Sequence, residues 1–278
     1  FDGHDAAINI MRRILQSSGA EVIHLGHNRS VSEIANAAIS EDVQGVAITS
    51  YQGGHIEFFK YLVDIFKERG RPDIKIFGGG GGVITPDEID ELHRYGVTHI
   101  YSPQEGAALG LQGMINALVS GCDLDLPLAV AHSEAAILAG LRAGDRLALT
   151  RFITALDNGA VAEDVRQKLL AAAKSVHTPV LGITGTGGSG KSSLVDELVR
   201  RFRYDQQDRL RIAIISIDPS RKRTGGALLG DRIRMNAIEH PAIFMRSLAT
   251  RESGGEISAA LPEIIAACRL SGFDLTIV

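Results

Sequence analysis

The chain has 278 residues, 45% hydrophobic and 22% charged, with a formal net charge of −4. That length and composition indicate two ordinary globular domains. The acidic balance argues against a nucleic-acid face, and no apolar run approaches the ~20 residues of a membrane span. No signal peptide opens the chain. Cys122 and Cys268 have no metal-ligand spacing, so the reading is a reduced cytoplasmic protein.

The first half alternates helix and strand. A helix opens at about Ala6, with Ile8, Met11, Ile14 and Leu15 on one face and Gly19 closing it. Glu21–Leu25 reads as a strand, and Ser30-x-x-Glu33 as a capping box. Gly45–Ser50 is a strand ending in the loop Tyr51–Gly54, followed by a helix from about Ile56 to Arg69. Ile74–Phe77 is a strand running into a loop of five glycines, Gly78 to Gly82. Pro86 sits at the first position of the next helix. His99–Tyr101 is a strand, and a helix runs from about Gly106 to Val119.

Strands alternating with helices imply a parallel sheet covered on both faces. Ligands in such sheets bind beyond the carboxyl ends of the strands. The loops at 2–7, 50–54, 78–82 and 101–105 fall there. Successive glycines mark a close approach of backbone. His4 is the candidate ligand of this half. The nearby carboxylate of Asp2 can accept the second ring N–H, which fixes the tautomer and raises basicity.

Asp2-x-His4-x-x-Ala7, Ser50-Tyr51-Gln52 and Gly78-Gly79 resemble the cobalamin-binding domain of the adenosylcobalamin-dependent mutases. That family carries D-x-H-x-x-G, S-x-L and G-G on successive strand ends of a flavodoxin-like sheet. The resemblance implies that His4 ligates cobalt from below, with Asp2 behind it. It also implies that Ser50, Gly78, Gly79 and Gly80 line the displaced nucleotide tail. Ala7 stands for the family's glycine and, as the smallest alternative, leaves the reading intact; Gln52 stands for its leucine, which bears on the detailed shape of the base pocket.

A break at Gly121–Leu128 divides the chain into a domain at 1–125, lacking its first strand, and a domain at 126–278, lacking its C-terminal part. Three helical patterns follow: Glu134–Leu141, Asp145–Asp157 and Ala162–Ser175. The apolar strand Pro179–Thr184 then leads into Gly185-Thr186-Gly187-Gly188-Ser189-Gly190-Lys191-Ser192, with Ser193 opening an amphipathic helix. Strand, G-x-x-x-x-G-K-[ST], helix is the phosphate-binding loop in its required context. Gly185, Gly187 and Gly190 also fit G-x-G-x-x-G, but a dinucleotide site has no task for Lys191. Lys191 would reach the β- and γ-phosphates as the catalytic cation, and Ser192 would bind Mg²⁺. The strand Arg211–Ile217, read as the neighbour of the P-loop strand, delivers Asp218, which with Asp231, after a loop at 221–230, can hold Mg²⁺. Ala242–Met245 is a strand entering a loop at 246–255. Pro262 opens a helix, and Phe273–Val278 is a buried strand.

Thr224–Arg232 and Arg246–Arg251 resemble the G-protein chaperones of methylmalonyl-CoA mutase, and Ala143–Arg146 fits their N-terminal helical arm. A cobalamin domain followed by such a P-loop GTPase α/β domain is similar to the fused isobutyryl-CoA mutases. The resemblance implies adenosylcobalamin, GTP/GDP and Mg²⁺ as ligands. It implies an acyl-CoA substrate taken by a mutase domain outside this segment, and a homodimer. Two other readings stay open at this stage: a stand-alone metallochaperone GTPase, and a P-loop kinase with a flavodoxin-like regulatory module.

Overall fold

Periodicity in the first half becomes helix–strand alternation in the computed structural model, which describes residues 5–80, 82–124, 134–218, 224–250 and 258–278. The chain forms two compact units, one of residues 1–39 and 43–126, the other of residues 40–42 and 127–278. No helix among the described residues is long and apolar enough to cross a membrane.

In the first unit, α1 (Asp5–Ser17) precedes β1 (Glu21–Ile23), α2 (Val31–Ser40), β2 (Gly45–Thr49) and α3 (His55–Glu68). Next come β3 (Lys75–Gly79), α4 (Pro86–Tyr95), β4 (His99–Tyr101) and α5 (Pro103–Cys122). Strands β2, β3 and β4 pair in parallel in that order, with Val46 opposite Ile76 and Gly78 opposite Ile100. Alternation of side chains puts Ile48, Ile76 and Ile100 on one face, against Phe59, Leu62 and Phe66 of α3. Phe77 faces the other side, where Gly121 of α5 closes on it and Cys122 Sγ lies against Gly45. Both expected helix starts carry reciprocal caps. Ser30 N–H donates to Glu33 and Glu33 N–H to Ser30, and Thr85 and Glu88 do the same.

Two boundaries differ from the sequence reading. β3 runs through Gly78 and Gly79, which were expected in a loop. The reason is packing: a Cβ on Gly78 would sit 2.6 Å from both Ile100 Cδ1 and Phe59 Cζ, so only glycine lets α3 lie on the sheet here. Helix α5 starts at Pro103, capped by Ser102, and breaks at Gly110, which has φ 65° and ψ 170°.

The second unit holds α6 (Glu134–Arg142), α7 (Arg146–Asp157), α8 (Glu163–Ala173), β5 (Val180–Leu181), α9 (Lys191–Asp205) and β6 (Ile212–Asp218). It continues with β7 (Ala227–Leu229), a 3₁₀ turn at Arg232–Arg234, β8 (Ile243–Ala249), α10 (Leu261–Leu270) and β9 (Leu275–Ile277). The sheet order is β5-β9-β6-β8, all parallel. Helices α6, α7, α8 and α10 cover one face through Leu149, Ile153, Leu169 and Ile264. Helix α9 covers the other through Val195 and Val199. The two free cysteines lie one in each unit. Burial pushes the Cys122 thiol up to about 11 and that of Cys268 to about 12.

Three expectations are corrected here. The strand carrying Asp218 is not beside the P-loop strand, because β9 pairs with both and lies between them. The loop expected from Arg246 is strand as far as Ala249. Its polar side chains can be buried because each finds a partner: Arg246 Nη2 donates to Thr154 Oγ1 at 2.9 Å, and Ser247 Oγ to Glu41 Oε1 at 3.0 Å. The segment Ala227–Leu229, expected as loop, is the short strand β7.

Candidate functional sites

In the second unit, the P-loop joins β5 to α9. Gly188 (φ 79°) and Gly190 (φ 88°) adopt left-handed backbone that side-chain-bearing residues disfavour, and Gly190 is the N-cap of α9. The helix therefore presents its unpaired N–H groups and positive dipole end at Lys191, a ready anion site. Lys191 Nζ donates to the carbonyls of Gly185 (2.7 Å) and Thr186 (3.0 Å). Gly187 and Gly188 have no atom within 4 Å of an added Cβ, so the loop is open on the phosphate side. Ser189 N–H donates to Thr186 O at 3.3 Å, tightening the turn, and Ser193 is exposed on the first turn of α9.

Beside this loop stand the residues expected for Mg²⁺. Ser192 Oγ donates to Asp231 Oδ1 at 2.6 Å, so hydroxyl and carboxylate share one point. Asp218, at the carboxyl end of β6, accepts from Gly230 N–H at 3.3 Å. Its carboxyl is pushed up to about 6, first by burial and then by the like charge of Asp231. An all-oxygen set of one hydroxyl and two carboxylates suits a small hard cation. No group of three or more His, Cys, Asp or Glu able to hold a metal occurs among the described residues.

Ser216 was not singled out from the sequence. Its hydroxyl donates to Asp231 Oδ2, the oxygen that Ser192 leaves free. A signal exists: Ser216 is the one polar residue in Ile212–Ile217, two positions before Asp218 and therefore on the same side of β6. Arg232, next to Asp231, was also missed. Its guanidinium donates through Nε (3.0 Å) and Nη2 (2.9 Å) to Glu41 Oε1, and through Nη2 to Met245 O at 2.8 Å. Both side chains are buried, at 6% and 1% exposure, so this pair fixes the start of the 3₁₀ turn.

The first unit offers a second candidate site. The carboxyl ends of β2, β3 and β4 lie on one edge because the strands are parallel. Ser50 is 2% exposed, donates its N–H to Gly79 O at 2.8 Å, and turns its hydroxyl to Gln52 O at 3.3 Å. Gly80 is so close that an added Cβ would lie 2.1 Å from Ser50 O. A Cβ on Gly79 would meet only Tyr101, at 3.6 Å or more. The structure therefore brings Ser50, Gly79 and Gly80 together at one edge, whereas Gly78 faces α3. This edge is lined by backbone, with Tyr101 beside Gly79 and Ile84 beside Gly80, and the open side of Gly79 leaves room for a chain laid along the strand ends. Asp2 and His4 lie outside the described residues.

Two family models match in tandem. A model described as "B12 binding domain" matches residues 1–111, and one described as "Methylmalonyl Co-A mutase-associated GTPase MeaB" matches residues 149–278. The fold and sites thus define a cobalamin-binding domain of flavodoxin-like type joined to a P-loop GTPase domain that uses GTP and Mg²⁺. Within that class, the chain is similar along its whole length to the fused isobutyryl-CoA mutases. Proteins of that name from Cupriavidus metallidurans, Nocardia farcinica and Geobacillus kaustophilus are 64%, 58% and 57% identical to it. All three alignments take in 100% of this chain but 25%, 25% and 26% of the relatives, so the chain spans about a quarter of their length.

Proposed function

We propose that this chain is the cofactor-handling portion of an adenosylcobalamin-dependent acyl-CoA mutase that interconverts isobutyryl-CoA and n-butyryl-CoA. The observation that carries this reading is the 64% identity over all 278 residues to a protein named for that activity. Bound adenosylcobalamin supplies radical chemistry through homolysis of its Co–C bond. The first domain would hold the cofactor, with His4 on the cobalt, Asp2 orienting that imidazole, and Ser50, Gly79 and Gly80 along the tail. The acyl-CoA would bind a mutase domain outside this chain, in a cytoplasmic homodimer.

The second domain would hydrolyse GTP and control cofactor loading. Lys191 would leave its two loop carbonyls to neutralise the β- and γ-phosphates. Ser192 and Asp231 would hold Mg²⁺, with Asp218 completing the oxygen set directly or through water. Ser216 would keep Asp231 oriented once Ser192 turns to the metal.

The test uses the full-length protein. Wild type should change the absorbance spectrum of added cobalamin and release phosphate from GTP without an acceptor. Lys191→Ala should lose most GTP hydrolysis while still binding cobalamin. Near-wild-type turnover in Lys191→Ala would show that the P-loop is not the hydrolytic site.

A further inference from the structure

The loop that follows β2 is tied from beneath by a side chain outside the family motifs quoted above. His55, at the first position of α3, is 6% exposed. Its Nδ1 lies 3.3 Å from Gln52 O, and because a carbonyl only accepts, Nδ1 is a protonated nitrogen. Its Nε2 is buried and makes no hydrogen bond, although Glu88 Oε2 lies 3.3 Å away. Glu88 is itself held by Thr85, accepting from the backbone N–H at 2.7 Å and from Oγ1 at 2.9 Å. Thr85 ends the segment that begins at Gly80, where Ser50 O makes its close approach. One buried imidazole therefore ties the loop after β2 to the start of α3 and faces the Glu88 carboxylate of α4, while Gln52, Gly53 and Gly54 above it are exposed.

Gln52 O receives two donors, Ser50 Oγ and His55 Nδ1, both at 3.3 Å. A carbonyl has two lone pairs and can take both. The redundancy has a use. If Ser50 Oγ swings to a ligand, Gln52 O keeps the imidazole and is not left unsatisfied. Without His55 the same rotation would strip that carbonyl of both side-chain donors, and the loop would lose its tie to α3.

We propose that His55 is a positioning residue for the nucleotide-tail cradle: it holds Gln52 O from below and so frees the Ser50 hydroxyl to turn toward the bound cofactor. This rests on the cobalamin reading of the first domain and names a residue that acts on that site through the loop.

The test compares two probes on the full-length protein: adenosylcobalamin, and cobinamide, which keeps the corrin and lacks the nucleotide tail. Binding is read by absorbance titration. His55→Ala should weaken adenosylcobalamin about tenfold to a hundredfold, as the loss of a buried hydrogen bond does. Its cobinamide affinity should stay at the wild-type value. His55→Gln, which keeps an N–H donor, should recover part of the loss. Equal losses for both probes would overturn the proposal, since the imidazole would then only support the fold. Unchanged affinity for both would overturn it too. Failure of the wild type to bind adenosylcobalamin would overturn the cobalamin reading itself and is visible before any variant is made.

Discussion

Replacing Asp218 by Asn should stabilise the metal-free protein while removing its Mg²⁺ site. In the folded chain the Asp218 carboxyl sits at about 6 against an ordinary 3.8, raised by burial and by Asp231. Below the lower value the group is protonated in both folded and unfolded chains and contributes nothing. Between the two values the folded chain holds the extra proton, so stability falls as pH rises. Above about 6 the full cost is present. A difference of about 2 pH units at ~1.4 kcal/mol per unit gives an upper bound of about 3 kcal/mol, which solvent screening of this half-buried group reduces. Asn is close in shape and can still accept from Gly230 N–H, so it removes the charge and little else. In chelator at pH 7, Asp218→Asn should melt higher by up to about 6–12 °C, at about 2–4 °C per kcal/mol for a domain of this size. The gap should close between pH 6 and pH 4. Added Mg²⁺ with nucleotide should reverse the order, because only the wild type gains binding energy from the metal. A gap that does not depend on pH, or a variant less stable than wild type in chelator at pH 7, would refute the reasoning.

Three other outcomes are expected. His4→Ala should weaken cobalamin binding strongly and Asp2→Asn by about 10–100-fold, and EPR of the cob(II)alamin complex made with ¹⁵N-histidine protein should show altered superhyperfine splitting. Glu41→Ala should destabilise the second unit by about 3–5 kcal/mol, since it strands a buried guanidinium, whereas joint replacement of Glu41 and Arg232 by Met should recover much of that loss in a denaturant titration. Calorimetric titration of full-length protein with adenosylcobalamin, alone, with GDP and with a non-hydrolysable GTP analogue, should give dissociation constants differing about 5–150-fold; equal constants would remove equilibrium gating.

The P-loop was legible because its chemistry is local. Glycines at left-handed positions, a lysine and a hydroxyl must follow one another in sequence to build a single turn. The cap at Ser30 and the helix start at Pro86 were legible for the same reason. Strand order was not, because β5 and β6 are separated by a partner, β9, that arrives about sixty residues after β6 begins. Nothing near Val180 or Ile212 encodes that pairing. The strand at Arg246–Ala249 was read as loop because Arg and Ser look like solvent-facing residues. Their burial depends on Thr154 and Glu41, which are distant in sequence. Gly78 illustrates the opposite trap, since a glycine run suggested a ligand where Phe59 and Ile100 already require the missing side chain.

The two hydrogen bonds of Lys191 to Gly185 and Thr186 have a consequence for how nucleotide arrives. The ammonium joins the carbonyls of two successive residues and so helps hold the curl of the loop. Phosphate capture is then an exchange of partners at Lys191. The cation gives up two neutral dipoles and takes two anionic oxygens, and little chain ordering remains to be done at that moment. Such a site should load quickly and distinguish ligands by phosphate charge and not by loop closure. A bare divalent anion such as sulfate should compete for it only weakly, because one small group cannot replace both carbonyls and span the helix N-terminus as well.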